Sequence, residues 1–98
     1  PPQPYGHWTG ILDARNKNTS CVQYNHRHKH LSQQIFGNED CLFLNIYTAA
    51  PENSTKLLPV LFDIFGGAFR LGESRKRVEI LMSRDFVVVT FNYRLGPL

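Results

Sequence analysis

The sequence is short of the features that mark several common classes of protein. Its 98 residues hold two cysteines and no Cys-x-x-Cys pair, so no zinc site is indicated. No apolar run is long enough to span a membrane, and there is no initiating methionine or signal peptide. The net charge of +3 is spread along the chain, and its single basic run, residues 75–77, is typical of a solvated helix face. We therefore predict no nucleic-acid partner.

Signatures for phosphate, dinucleotide and metal binding are missing as well. Residues 67–74 have the glycine spacing of a P-loop, but Glu73 stands where that loop needs a lysine, and a carboxylate repels phosphate oxygens. The Gly-x-Gly-x-x-Gly fingerprint does not occur. Histidines alternate in residues 26–30, but Arg27 and Lys29 separate them and no nearby Cys or carboxylate completes a ligand set. We interpret this stretch as a solvated loop and predict no metal and no cofactor.

What the sequence does have is the composition of a globular protein. Hydrophobic residues make up 42% of the chain and charged residues 19%, which argues against disorder. The length allows one domain at most. The chain opens on residues 1–4 (PPQP) and stops at residues 96–98 (GPL), just after a predicted strand. We therefore expect residues 1–98 to be part of a larger domain, truncated at both ends.

The hydrophobic pattern predicts an α/β arrangement. Three segments rich in aliphatic and aromatic residues are predicted to be strands: residues 42–48, 60–65 and 86–91. A helix is predicted over residues 75–83, with Ser74 as its N-cap. The last strand is a nearly continuous β-branched run, typical of parallel strands buried on both faces. Residues 60–91 thus form a strand, loop, helix, strand unit, whose right-handed crossover makes the two strands parallel.

The loop-rich segment before these elements carries one large aromatic side chain. Prolines among the first four residues favour extended backbone. Trp8 follows, and we expect its ring to be buried as a structural anchor, since large aromatics dominate core burial.

Two glycines directly after the second predicted strand form the candidate site. Gly66 and Gly67 follow residues 60–65 directly, and ligands of open α/β sheets bind at the carboxyl ends of strands. Glycine leaves backbone amides uncovered, so they can hold an anion, or an oxygen that becomes an anion during a reaction. On residue types alone, an oxyanion hole for acyl transfer and a purely structural turn are equally open.

Sequons and cysteines bear on the compartment of the protein. Asn18 and Asn53 each begin an N-glycosylation sequon. Cys21 and Cys41 are either two buried thiols or a disulfide, which would stabilise the fold by about 3 kcal/mol on the chain-entropy model. The two sequons favour the disulfide, and with it a secreted, extracellular glycoprotein.

Four segments resemble the type-B carboxylesterase/cholinesterase family, in the order the family has them: residues 8–14 (WTGILDA), 39–48 (EDCLFLNIYT), 65–69 (FGGAF) and 92–96 (NYRLG). The second is similar to a family signature, and the third to the family's oxyanion loop. Together they extend over nearly the whole chain, which therefore resembles the N-terminal part of an insect-type carboxylesterase.

This resemblance implies an α/β-hydrolase fold, whose N-terminal part would be a mixed, largely parallel sheet with a crossover helix. It also implies a disulfide between Cys21 and Cys41. The family's nucleophile elbow, Gly-x-Ser-x-Gly, does not occur here, so the resemblance puts the Ser-acid-His triad beyond Leu98. Residues 22–40 contain no tryptophan to bind choline, which favours a general or hormone/odorant-type carboxylesterase over a cholinesterase.

The resemblance also implies roles for the glycine segment. The N–H groups of Gly67 and Ala68 would be the two oxyanion donors of this loop, with Gly66 giving the turn its freedom. Many family members have histidine where Phe65 stands and a third glycine where Ala68 stands. Alanine keeps its N–H, so the donor survives if the dihedral angles suit an L-residue.

Two functions from different classes follow. The first is a serine hydrolase of small-molecule carboxylic esters, to which residues 1–98 contribute the oxyanion loop. This segment alone would be inactive, and the remainder of the parent chain would be needed for folding. The second is a catalytically inactive, cholinesterase-like adhesion protein of the neuroligin or neurotactin kind. A serine within a downstream Gly-x-Ser-x-Gly would distinguish the enzyme.

Overall fold

A computed structural model describes residues 1–15, 19–25, 34–75 and 78–97 of the chain. Its elements, in chain order, are β1 (Gln23–Tyr24), β2 (Ile35–Phe36), β3 (Leu44–Thr48), β4 (Val60–Asp63), α1 (Glu79–Met82) and β5 (Val87–Phe91). The strands β3, β4 and β5 each lie inside one of the three segments predicted from the hydrophobic pattern. The two-residue strands β1 and β2 were not predicted.

The main sheet has the strand order β3-β5-β4, with β5 at its centre. β4 pairs with β5 in parallel, with Val60 opposite Val87, and the chain between them carries α1. β3 pairs with β5 in the antiparallel sense, with Leu44 opposite Phe91. The sheet is therefore mixed, and the parallel pairing predicted for residues 60–91 is confirmed.

The helix is shorter than predicted, and Ser74 is not its cap. α1 covers Glu79–Met82, its N-cap residue is Val78, and no side chain caps it. Ser74 is buried, and its backbone N–H donates to Oδ1 of Asn92 at 2.8 Å. Its Oγ, the atom that a cap would use, accepts from Nδ2 of Asn45 at 2.9 Å, and residues 74–75 are not helical. Part of the predicted helix, residues 76–77, lies outside the described residues.

The two faces of the main sheet differ sharply in burial. Val88 and Thr90 of the central strand are 0% and 1% exposed, and with Val78 they line the space between the sheet and α1. The opposite face carries apolar side chains that are more than half exposed: Leu44, Ile46, Val60 and Phe62. Residues paired in register share a face, so these exposed side chains flank the half-buried residues of β5 on that face. The prediction that β5 is buried on both faces is thus met on one face only.

A disulfide joins Cys21 to Cys41, as the sequons and the resemblance indicated. Both cysteines are buried, and the short antiparallel pair β1-β2 lies within the loop that they close. The expectation for Trp8 is wrong: its side chain is 57% exposed and its ring meets Tyr5 edge-on, 5.9 Å between centroids. No layer of the described structure covers this segment.

In the part of the chain that the structure describes, no helix has the length and apolar character to cross a membrane.

The exposed sheet face leads to a first prediction, that the isolated 98-residue chain lacks a cooperative thermal transition. Its buried apolar side chains are few, whereas one face of the sheet is largely exposed to water. Burial of apolar surface is the main force that opposes the conformational entropy of the chain. Circular dichroism and calorimetry on the isolated chain test this. A sharp transition with equal calorimetric and van't Hoff enthalpies would contradict it.

Candidate functional site

The candidate site is a tight turn that begins just beyond the carboxyl end of β4. The carbonyl of Gly67 accepts the N–H groups of Arg70 and Leu71, at 3.0 and 3.3 Å. Gly67 has a φ of 156°, and a Cβ placed there would lie 1.8 Å from the carbonyl oxygen of Leu71. Only glycine fits in this position. Gly66, by contrast, does not have a positive φ, and a Cβ there would meet nothing within 4 Å.

The two residues after the glycines have strained backbones. Ala68 and Phe69 have φ values of 53° and 55°, in the left-handed region that residues with a Cβ rarely adopt. Each such residue costs on the order of 1–2 kcal/mol. The unusual dihedral angles of this turn therefore lie on residues 67–69. The resemblance had instead implied that Gly66 supplies the backbone flexibility of the turn. Backbone strain of this kind clusters at functional sites.

The turn leaves consecutive amides available. Among the described residues, the N–H groups of Gly66, Gly67, Ala68 and Phe69 have no hydrogen-bond acceptor, and the resemblance points to those of Gly67 and Ala68. They border an open cleft of about 510 Å³, lined mainly by aromatic side chains: Phe65, Phe69, Phe91 and Tyr93. Unpaired N–H groups beside an apolar cleft are suited to an oxygen that gains negative charge.

Phe65 stands where many members of the family that the sequence resembles have histidine, and here it is part of the packing beneath the turn. It is 5% exposed, and its ring stacks on that of Tyr93 with 4.3 Å between centroids. The hydroxyl of Tyr93 donates to the carbonyl of Phe65 at 2.5 Å. A further hydrogen bond joins the N–H of Gly96 to the carbonyl of Phe69 at 2.6 Å. Residues that follow β5 thus hold the strained turn in place through stacking and hydrogen bonds.

Sequence reasoning missed the polar residues that surround the turn. Asn92 accepts from the Ser74 N–H and donates to the carbonyl of Thr19 at 2.7 Å. Asn92 and Tyr93 follow β5 directly, so the parallel pairing of β4 and β5 could have placed them beside the glycines. Gln23, which bonds to Gly72 from within the disulfide loop, had no comparable signal in the sequence.

Ionisable groups with shifted pKa values lie on exposed ion pairs. Hydrogen bonds from Arg15, first from its backbone N–H and then from its side chain, lower the pKa of Asp13. The hydrogen bond and charge of Lys56 lower the pKa of Asp85. The Arg94 guanidinium lies nearer the turn and pairs with Glu39 at 3.1 Å. Arg94 also lines the cleft beside the amides, and it is the one charged side chain among the described residues that line it.

Two other groups of predicted residues are partly or wholly outside the described structure. Residues 26–30, with their alternating histidines, and the sequon residue Asn18 lie outside it. Asn53, the second sequon residue, is exposed in a turn between β3 and β4. Within the described ranges, no three metal-ligating side chains come together.

The amino-acid sequence is similar to a protein-family model and to several known enzymes. The sequence model described as the carboxylesterase family matches residues 1–98. Venom carboxylesterase-6 of Apis mellifera is 42% identical over 98 residues, covering 99% of this chain and 18% of the relative. Juvenile hormone esterase of Tribolium castaneum is 36% identical, covering 98% and 16%. Human bile salt-activated lipase is 37% identical, covering 99% and 14%. The chain thus spans less than a fifth of these relatives.

A solved structure agrees in fold. A thermophilic PNB esterase superposes with a TM-score of 0.54 at 34% identity, covering 82% of this chain and 17% of that one. The α/β class expected from the sequence is confirmed.

The steric contrast between the two glycines gives a matched pair of variants. We expect Gly67→Ala to destabilise the folded protein that contains these residues by about 2 kcal/mol or more, because its Cβ would overlap the Leu71 carbonyl. Gly66→Ala, the control, should change stability by less than about 1 kcal/mol, because its Cβ meets open space. Urea unfolding midpoints measure both, and equal losses would refute the assignment of the tight contact to Gly67.

The disulfide gives another prediction. In the folded protein that contains these residues, replacing Cys21 and Cys41 together by alanine should lower the free energy of unfolding by about 3 kcal/mol, because the open loop gains entropy in the unfolded chain. Reduction of the unmodified protein with dithiothreitol should cause a similar loss and leave the double variant unchanged. If reduction shifts the two proteins equally, the effect does not come from this disulfide.

Proposed function

The chain belongs to the carboxylesterase family, and from this we propose that it supplies the oxyanion-hole loop of a serine carboxylic-ester hydrolase. The observation that carries the proposal is the pair of unpartnered amides of Gly67 and Ala68, among the described residues, on a strained turn at the end of β4. A purely structural turn can leave exposed donors to water, so the feature that favours the proposal is that these donors border an aromatic-lined cleft. An oxyanion hole requires adjacent donors in such a position.

In the proposed reaction, a serine outside residues 1–98 attacks the carbonyl carbon of a small-molecule ester while a histidine removes its proton. The carbonyl oxygen becomes an oxyanion, and the N–H groups of Gly67 and Ala68 donate to it. The intermediate then collapses, the alcohol leaves with a proton, and water hydrolyses the acyl-enzyme. Each such donor contributes on the order of 3 kcal/mol to lowering the barrier. No metal or cofactor takes part.

The conformation of Ala68 supports this role. Its φ of 53° is open to an L-residue at some cost in energy, so alanine keeps the amide in the turn where many relatives use glycine. Gly66 contributes differently, because the absence of a side chain leaves open space where a substrate can approach.

We further propose that residues 1–98 are one part of a larger α/β-hydrolase domain and do not hydrolyse esters alone. The chain spans 18% of the length of the venom carboxylesterase and leaves one sheet face largely uncovered. The rest of such a domain would cover this face and supply the Ser-acid-His triad, since the sequence has no Gly-x-Ser-x-Gly.

A secreted glycoprotein is the proposed setting. The Cys21–Cys41 disulfide fits an oxidising compartment, and Asn53 is exposed in a turn, where a glycan can be attached. Asn18 is the second proposed glycosylation site. The name of one relative places it in venom.

Fluorophosphonate labelling of the full-length protein tests the proposal. A reactive serine should take one phosphonyl group, and mass mapping should place it in a Gly-x-Ser-x-Gly sequence beyond residue 98. Heat-denatured protein, in which the oxyanion hole is lost, is the control and should not react. No adduct on the folded protein would overturn the enzyme proposal and favour the inactive, adhesion-type relative.

A further inference from the structure

We propose that Gln23 is a positioning residue for the oxyanion turn, acting through Gly72. Its carboxamide would hold the end of the turn in place, and so hold the amides of Gly67 and Ala68 in the geometry that binds an oxyanion. This inference rests on the proposed function and adds a residue to it that lies outside the oxyanion loop.

The carboxamide of Gln23 satisfies both backbone groups of Gly72. Nε2 donates to the carbonyl of Gly72 at 2.9 Å, and Oε1 accepts the Gly72 N–H at 2.9 Å. Nε2 also donates to the carbonyl of Cys21 at 3.1 Å. With two carbonyls on one side and an N–H on the other, only one orientation of the amide pairs every group. The side chain acts as a short two-bond bridge between distant segments.

Gly72 is confined from its other side as well. A Cβ built there would lie 2.4 Å from Cδ2 of Phe65, so the Phe65 ring packs directly against the glycine. Phe65 itself is fixed by stacking on Tyr93. Gly72 is therefore held between the Gln23 carboxamide and the Phe65 ring.

The position of Gly72 determines that of Gly67 through Leu71. The carbonyl of Leu71, bonded to the Gly72 nitrogen, is the group that leaves no room for a Cβ on Gly67. The Leu71 N–H also donates to the Gly67 carbonyl at 3.3 Å. A shift of Gly72 therefore moves a group that is in contact with Gly67. Because Ala68 is strained, it relaxes when that support is lost, and its amide turns away.

Gln23 is itself well anchored. It lies on β1, opposite Phe36, and two residues after Cys21. The buried disulfide fixes Cys21 to Cys41. The disulfide and the β1-β2 pairing thus anchor Gln23, against which the turn is held.

Two variants separate hydrogen bonding from shape. Gln23→Glu has the same size but replaces Nε2 by a carboxylate oxygen that faces the carbonyls of Gly72 and Cys21. Gln23→Met keeps the length and removes all three hydrogen bonds of the carboxamide. Ser20→Ala is the matched control, since Ser20 donates to Glu73, the residue after Gly72, at 2.7 Å and so bridges the same two segments without touching Gly72.

The experiment measures kcat and KM of the full-length protein for p-nitrophenyl butyrate, and inhibition by a trifluoromethyl ketone and by its methyl ketone analogue. The trifluoromethyl ketone forms a tetrahedral oxyanion with the serine, whereas the methyl ketone mainly probes ground-state binding. We expect both Gln23 variants to lower kcat about ten- to a hundred-fold with little change in KM. Affinity for the trifluoromethyl ketone should fall by a similar factor, and affinity for the methyl ketone should not.

The outcomes are distinguishable. Loss of thermal stability in both Gln23 variants with kcat and trifluoromethyl ketone affinity unchanged would show a merely structural role and overturn the inference. An equal loss of kcat in Ser20→Ala would also overturn it, because the effect would then not be specific to Gly72. If Gln23→Glu does not fold, Gln23→Met decides. An unmodified protein that neither hydrolyses the ester nor binds the trifluoromethyl ketone would instead refute the proposed function.

Discussion

The parallel pairing of β4 with β5 is the constraint on which the rest of this structure depends. Parallel neighbours end at the same edge of a sheet, so this pairing brings the glycine turn after β4 next to Asn92 and Tyr93 after β5. Tyr93 then supports Phe65, and Asn92 holds Ser74. Without this register, the turn would lose the contacts with Tyr93 and Gly96 that support it from this side.

The disulfide loop supports the turn from the other side. Three hydrogen-bonded connections join it and its flanks to the chain around the turn: Gln23 to Gly72, Ser20 to Glu73, and Thr19 to Asn92. Each is modest by itself, since a typical protein hydrogen bond contributes about 1 kcal/mol net. They end at Gly72, Glu73 and Asn92, and of the three only the Gln23 connection reaches the residue that adjoins Leu71, whose carbonyl contacts Gly67. The disulfide therefore matters to the candidate site as well as to the stability of the fold.

Local patterns in the sequence predicted the three main strands, the parallel crossover and the glycine turn, because strand composition and Gly-Gly are local signals. They failed where tertiary contacts decide. Ser74 was predicted to cap a helix, but it is hydrogen-bonded to Asn92 instead. Trp8 was predicted to lie in the core, but its side chain is more than half exposed. The left-handed dihedrals of Ala68 and the reach of Gln23 across the fold depend on partners far along the chain, so no local pattern encodes them.

The backbone of Ala68 and Phe69 has a consequence for protein engineering. A left-handed conformation at two consecutive L-residues is not one that residues 65–72 would hold as a free peptide. Grafting these eight residues onto another scaffold would transfer the sequence of the motif but not its backbone conformation. To transplant the proposed oxyanion loop, a designer would have to include the Phe65–Tyr93 stack and the disulfide-anchored carboxamide of Gln23 as well.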